Sequence, residues 1–410
     1  MINKFLDFIK EAKNPFYAVN LLEKELEKNG FKKLDEKDYW ELTDQKYYVI
    51  RDDSSIIAFK MPSNINDLKI KLVLSHTDSP TFKLKENYFK KDVLDVEGYG
   101  GMILPSWLDR EISLAGRIIY QDKYGLKKAF YDYEKGFVIP NVCIHLKKEF
   151  NYNVAIDLRP YVGNNFDLEE DIAKKLNINK EDILGKDLFL YTKDRGKIIG
   201  SNDELILAPQ IDNLECAYAS LLAFLDSNDD NSINLYGAFN NEEVGSLSTN
   251  GASSTFLKDV LERILADYSL EEKKMIYAKS FTVSADNAHA MHPNHPELFD
   301  ELNSPKLGSG IVIKENANLS YTTDALSKAI LKKIFNDNRI PYQFYANRSD
   351  IRGGSTLGRL SLAQISINSV DIGLAQHAMH SAMETASVKD FDILVSGLKA
   401  FYNYDLKKDL

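Results

Sequence analysis

The chain has 410 residues, 44% of them hydrophobic, enough to bury a large core in two domains or in one domain carrying a large insertion. Its 61 acidic residues outnumber 51 basic ones for a net charge of −10, which argues against a nucleic-acid footprint and against attraction to anionic membrane. Only Cys143 and Cys216 are present, which excludes a disulfide framework and a thiolate metal cluster and fits a reducing cytoplasm.

The opening MINKFLDFIKEAKNPF alternates charge and hydrophobe, with no apolar h-region and no small-residue cleavage site, so a soluble, unprocessed chain is expected. No run of about 18 apolar residues is present that could span a bilayer. Residues 3–30 carry helical apolar spacing (Phe5, Leu6, Ile9, Tyr17, Leu21, Leu22, Leu26) and stop at Gly30. The runs KYYVIRD, SSIIAFKM and KIKLVLSHTD then read as strands, the last nearly continuous in apolar residues and so suited to burial on both faces.

From 82 to 204 the texture changes to short β-like segments broken by Gly and charged turns, with one helical stretch near 168–176; this reads as a β-rich insertion. After 205 strand and helix alternate: helix DNLECAYASLLAFL, strand INLYGAF, helix ASSTFLKDVLERIL, strand KSFTVSAD, helix TTDALSKAILKKIF, strands near LAQISI, and a final helix VKDFDILVSGLKAFYNY. The pattern predicts an α/β fold, a mixed sheet flanked by helices on both faces. A host domain of 1–81 and 205–410 would then enclose the insert.

The metal-capable residues fall at strand exits. His76 follows KIKLVLS, Glu242 and Glu243 follow INLYGAFNN, Asp286 follows KSFTVSA, and His380 comes shortly after SVDIGLA. In an open α/β sheet the carboxyl edge is where loops converge on a ligand, so a single sheet edge is expected to gather them. Asp212 lies instead at the start of a helix, where it is a candidate bridging carboxylate. Two Zn²⁺ ions bring four positive charges; Asp212, Glu243 and Asp286 return three and a bound hydroxide the fourth. The two imidazoles favour zinc over Mg²⁺ or Ca²⁺, with Mn²⁺ or Co²⁺ as substitutes.

Adjacent glutamates leaving a strand point in different directions, which assigns Glu243 as ligand and Glu242 as the base facing water. Asp78, two residues beyond His76, is placed to hold that imidazole's other nitrogen. Taken singly, His76 reads as a hydrogen-bonded structural histidine, Asp212 as a helix cap and the glutamate pair as a solvated face. Their combination overrides those readings. His289, His292 and His295 read as a surface loop between prolines, His377 as a neighbour of His380, and Trp107 as a packing residue.

The segments HTDSP (76–80), YGGMILPSWLDREISLAGR (99–117), QIDN (210–213), NNEEVGS (240–246), SADNAHAMHPN (284–294) and MHS (379–381) occur in an order that resembles the aspartyl aminopeptidase and vacuolar aminopeptidase I family of dinuclear zinc metallopeptidases. The likeness spans nearly the whole chain. It implies one ion held by His76, Asp212 and Asp286, a second held by Asp212, Glu243 and His380, and Glu242 as base. It also implies that 82–204 is a dimerisation domain and that dimers build a tetrahedral homododecamer with active sites facing an internal chamber. By the same resemblance His145 reaches a neighbouring subunit's active site, Lys314 meets an acidic substrate side chain, and Tyr321 stands near the scissile carbonyl. RGGSTLG (352–358), with Gly353 and Gly354, matches a Gly-rich loop along which substrate lies. The chain departs from the family pattern at Ser320, where a basic residue is usual, at Arg352, and at Asn141, where many relatives have a histidine.

The expected activity is removal of an N-terminal residue, Asp or Glu, from peptides with free N-termini. A dinuclear zinc deacylase or carboxypeptidase, and a non-catalytic assembly protein retaining the fold, are the alternatives.

Overall fold

The computed structural model describes residues 1–149, 151–228, 231–351 and 353–409. Every residue of the strands Ile70–His76, Ile233–Phe239 and Phe281–Ala285 is buried. Strands of that kind belong in the interior of a sheet covered on both faces, and these three run parallel there, with Asn368–Gly373 as a fourth. The full sheet has nine strands, in the order Lys32–Leu34, Lys46–Arg51, Ser55–Lys60, Ile233–Phe239, Ile70–His76, Phe281–Ala285, Asn368–Gly373, Ile311–Lys314, Tyr342–Tyr345. Antiparallel pairings flank the parallel centre.

Side chains alternate between the two faces with the strand period of two. Val73, Tyr236, Ala238, Val283 and Val370 pack beneath the helices Ile2–Glu11, Pro15–Lys28, Ile211–Leu225, Ala325–Asp337 and Val388–Asn403. Leu72, Leu74, Leu235 and Phe239 meet Phe256–Ile264, Leu270–Ala278 and Leu357–Gln364 on the other face. Helix Ile211–Leu225 is almost wholly buried, and its Phe224 ring sits 5.4 Å from Phe31, 6.1 Å from Tyr236 and 5.8 Å from Tyr402.

A second sheet has five short strands in the order Lys197–Ile199, Leu205–Ala208, Glu384–Ser387, Ala375–His377, Ala288–His289. A third is antiparallel, in the order Val93–Tyr99, Thr81–Lys90, Ile183–Thr192, Ile112–Asp122, Gly125–Asp132, with its own core around Phe82, Leu94, Trp107, Tyr131 and Leu188. Charged groups tie this β-rich body to the large sheet. Arg117 donates to the carboxylates of Asp52 (2.7 Å), Asp53 (3.1 Å) and Asp187 (2.8 Å), with its guanidinium 4.6 Å from the Phe16 ring centre. Arg195 donates to the Ile9 and Ala12 carbonyls, satisfying acceptors at the end of helix Ile2–Glu11 that have no partner within it.

The mixed α/β layering follows the sequence pattern, and several details differ, the strands Ile311–Lys314 and Tyr342–Tyr345 among them. The N-terminal helical run is two helices, because the Asn14 side chain accepts from Phe16 N and Tyr17 N and Pro15 occupies the first helical position. A helix over Leu270–Ala278, opened by a Ser269–Glu272 capping box, was not expected. LAQISI is not strand: helix Leu357–Gln364 ends within it, and the strand begins at Asn368. An apolar run that short has no periodicity to separate the two states.

Phe224→Ala is expected to destabilise the metal-free chain by about 3–5 kcal/mol, since three aromatic neighbours cannot collapse onto the vacated volume. Denaturant unfolding of the two proteins measures this, and a cost under about 1 kcal/mol would show that the ring cluster is not a packing centre.

Candidate metal centre

Three of the five expected ligands leave the parallel centre of the large sheet at its carboxyl edge. His76 is the last residue of its strand, in register with Phe239; Asp286 directly follows Ala285; Glu242 and Glu243 open a single 3-10 turn beyond Phe239. Asp212 and His380 arrive differently, and here the expectation of one sheet edge is corrected. Both come from the second sheet: Asp212 after Leu205–Ala208, and His380 from the hairpin between Ala375–His377 and Glu384–Ser387. Asp212 is also not a regular helical residue; its φ of −80° and ψ of 107° turn its side chain out of the helix it begins, and the Asp212–Asn213 peptide is cis.

The five side chains meet around Asp212. Its Oδ1 lies 3.5 Å from His76 Nε2, and its Oδ2 lies 3.5 Å from His380 Nε2. His76 Nε2 is 3.7 Å from Asp286 Oδ1, and His380 Nε2 is 3.3 Å from Glu243 Oε2. Two groups with metal-ligand spacing result, His76–Asp212–Asp286 and Asp212–Glu243–His380, sharing one carboxylate. Glu242 joins a third grouping with His76 and Glu243.

The electrostatics call for cations. Asp212 Oδ1 and Glu243 Oε1 are buried without a hydrogen-bond partner, an unfavourable state for carboxylate oxygens unless a positive ion faces them. Without metal, burial pushes Glu242 up to about 8; the His76 charge opposes this, and repulsion from Asp286 and Asp78 adds to it. Burial, then repulsion from Asp212, raises Glu243 as well. Burial alone would raise Asp212, but the facing His380 and His76 imidazoles hold it below the usual carboxylate range. Imidazoles mixed with carboxylates suit a borderline ion such as zinc, so the residues present fit the metal that the sequence implies.

Asp78 does more than expected. His76 Nδ1 lies 3.1 Å from its carbonyl oxygen and 3.4 Å from its carboxylate, which orients the ring with Nε2 toward the centre. The same carboxylate accepts from Glu242 N and Glu243 N, each at 3.1 Å, and from the Tyr99 hydroxyl at 2.7 Å. One buried carboxylate thus orients His76 and sets the loop carrying Glu242 and Glu243.

Residues of the β-rich body close the centre. Gly100 has φ +75°, and a Cβ there would stand 3.1 Å from Glu243 Cβ and 3.3 Å from Pro80 Cβ, so only glycine fits. The Gly101 backbone hydrogen-bonds the His380 ring, and Ile103 N donates to the His380 carbonyl at 3.0 Å.

Beside Asp286 lie the residues expected to meet substrate. The buried Lys314 amine donates to the carbonyls of Asp286 (2.7 Å) and Asn287 (3.2 Å) and sits 5.1 Å from the Tyr321 ring centre. Tyr321 packs with Tyr345, rings 6.2 Å apart, and burial pushes its hydroxyl pKa up, keeping it a donor. Next to it, Thr322 donates to the Asp371 carboxylate, which also accepts from Thr356 in the Gly-rich loop, while Asp371 N donates to the Thr323 hydroxyl. Gly353 lies against Asn347, where a Cβ would collide, and Gly354 faces open space. Arg352 lies outside the described residues.

His145 is exposed on the β-rich body and takes no part in the bonds of the centre. His292, His295 and His377 group together, rings 5.3 and 5.9 Å apart, away from the ligand set. His289, read as a loop residue, instead forms strand Ala288–His289 and lies within the field of Asp212, Asp286, Lys314 and His380. Tyr99, Glu384 and His289 carry no sequence signal of their own beyond nearness to the ligand motifs.

Imidazoles and carboxylates gathered with metal-ligand spacing at the crevice of an α/β sheet covered on both faces form a candidate metalloenzyme site. Residues 8–402 match the model of the aminopeptidase I zinc metalloprotease (M18) family. A probable M18 family aminopeptidase 2 of Clostridium acetobutylicum is 37% identical over 98% of both chains. Among solved structures, Chaetomium thermophilum mApe1 is 26% identical with TM-score 0.90, covering 99% of this chain and 98% of that one. A dodecamer of S. cerevisiae mApe1 is 25% identical with TM-score 0.87, covering 98% and 95%. This chain belongs to the M18 family and is a zinc aminopeptidase.

Replacing Asp78 by Ala is expected to weaken zinc binding by about 10- to 100-fold, because a ligand and a ligand-bearing loop lose their common anchor. Chelator competition reads this, and wild-type affinity in the variant would contradict the positioning assigned to Asp78.

Proposed function

We propose that the enzyme holds two zinc ions, one through His76, Asp212 and Asp286 and one through Asp212, Glu243 and His380, and releases an N-terminal Asp or Glu from peptides with a free N-terminus. The observation that carries this is Asp212, whose two oxygens each face a different histidine. Bound zinc supplies Lewis acidity that polarises the scissile carbonyl and acidifies water. Glu242, aligned through its own N–H on Asp78, takes the proton of the attacking water on a carboxylate oxygen and hands it to the departing amine nitrogen. Tyr321 donates its hydroxyl to the oxygen on which charge develops. Lys314 donates to the Asp286 and Asn287 carbonyls and stands 3.8 Å from the Asp286 carboxylate, and in this reading its third N–H turns to a substrate carboxylate.

In this reading 82–204 is the dimerisation domain, and the chain assembles into a tetrahedral homododecamer, with His145 completing a neighbour's site. The stretch around His145 exposes Val142, Ile144, Leu146 and Ile156, apolar area suited to a subunit contact. The free thiols of Cys143 and Cys216 suit the cytoplasm. Among the described residues no helix is long and apolar enough to cross a membrane.

Glu242→Gln is expected to keep the wild-type zinc content while kcat falls by about 10²- to 10⁴-fold; loss of zinc along with turnover would make Glu242 a ligand instead. Lys314→Met, compared at equal zinc occupancy across Asp, Glu, Ala and Leu substrates, is expected to lose the acidic preference, mostly in KM. An unchanged ranking would remove Lys314 from the pocket. Hydrolysis of free but not N-acetylated peptides separates an aminopeptidase from a deacylase.

A further inference from the structure

We propose that Glu384 is the positioning residue that fixes the two ligand groups relative to each other, a role that rests on the two-zinc reading above. Glu384 is 2% exposed and begins strand Glu384–Ser387. Its Oε2 accepts from Asp212 N at 3.0 Å and its Oε1 from His380 N at 2.7 Å. One buried carboxylate therefore holds the backbone of the shared ligand and of a ligand belonging to one group only.

Each bond meets a specific need. Helix Ile211–Leu225 begins after Gln210, which gives it no side-chain cap, so the Asp212 N–H at the helix start has its acceptor in Glu384. His380 has φ +68° and Ala378 φ +56°, two left-handed residues in one hairpin that side chains other than Gly disfavour. The bond from His380 N to Glu384, four residues on, closes that turn and sets where the His380 ring emerges. A carboxylate can accept both N–H groups; glutamine can accept only one through its carbonyl oxygen, and aspartate is one methylene short.

The carboxylate does not act alone. Gln376 Nε2 lies 3.5 Å from Glu384 Oε1, while Gln376 Oε1 accepts from Asn287 Nδ2 at 2.8 Å. Asn287 directly follows Asp286 and also bonds Glu215 and the Ile211 carbonyl, each at 3.2 Å. Asp286, Asp212 and His380, from three separate segments, are thus tied beneath the centre by one buried polar network.

The test uses full-length wild type, Glu384→Gln and Glu384→Ala, each stripped and reloaded with zinc, with metal content by mass spectrometry, stepwise affinity by chelator competition, and melting of the metal-free chains. Wild type is expected to take up two zincs. The variants are expected to lose about 10- to 100-fold in zinc affinity, most for the ion assigned to both Asp212 and His380 and more in Ala than in Gln, while a lower melting temperature of the metal-free Ala chain reports its two orphaned N–H groups. Should the Ala variant fail to fold, the near-isosteric Gln variant carries the comparison. Two zincs bound with wild-type affinity, or a lowered metal-free melting temperature with affinity intact, would overturn the role of Glu384 alone. A wild-type chain taking up a single zinc would overturn the two-zinc reading and this proposal with it.

Discussion

The carboxylate of Asp212, with one oxygen toward His76 and the other toward His380, is the constraint around which this molecule is arranged. It is buried, its Oδ1 has no hydrogen-bond partner, and it stands among Glu242, Glu243, Asp286 and Asp78. Anions gathered in a low-dielectric crevice repel one another, and protonation of some or capture of cations relieves that repulsion. Sequence segments some 300 residues apart meet here because a bridging carboxylate must be approached from both sides.

Two sheets deliver those two sides. The parallel centre of the large sheet presents His76, Glu243 and Asp286 at or just beyond the ends of neighbouring strands. The small sheet brings Asp212 and His380 from across the crevice, and the β-rich body seals the gap with Tyr99, Gly100 and Gly101. The β-rich body therefore belongs to the centre chemically. Arg117 and Arg195 join the same bodies through carboxylates and helix-end carbonyls.

The parts of this arrangement legible from sequence were those with a strong local cause. IKLVLSH and INLYGAF are nearly unbroken apolar runs, so they announce central strands, and the polar residues at their ends announce the loops that bind. Glu242 and Glu243 are legible as acidic residues just beyond such a run, although they open one 3-10 turn and both come within metal-ligand spacing of His76 rather than diverging. The second sheet was not legible: its strands are two to four residues long and carry no periodicity, so the route of His380 into the site was hidden. Tyr99 and Glu384 were hidden for a related reason, since their work is done by hydrogen bonds to backbone and carboxylate groups far away in sequence. His289 looked like one of several loop histidines until strand pairing with Ala375–Gln376 put it beside the ligands.

The most direct measurement is the zinc content of Asp212→Asn beside that of His380→Ala. If Asp212 is shared, its replacement removes both ions while His380→Ala leaves one in place, because only the first change touches both ligand groups. Retention of one zinc at wild-type affinity by Asp212→Asn would contradict the shared carboxylate on which the account is built.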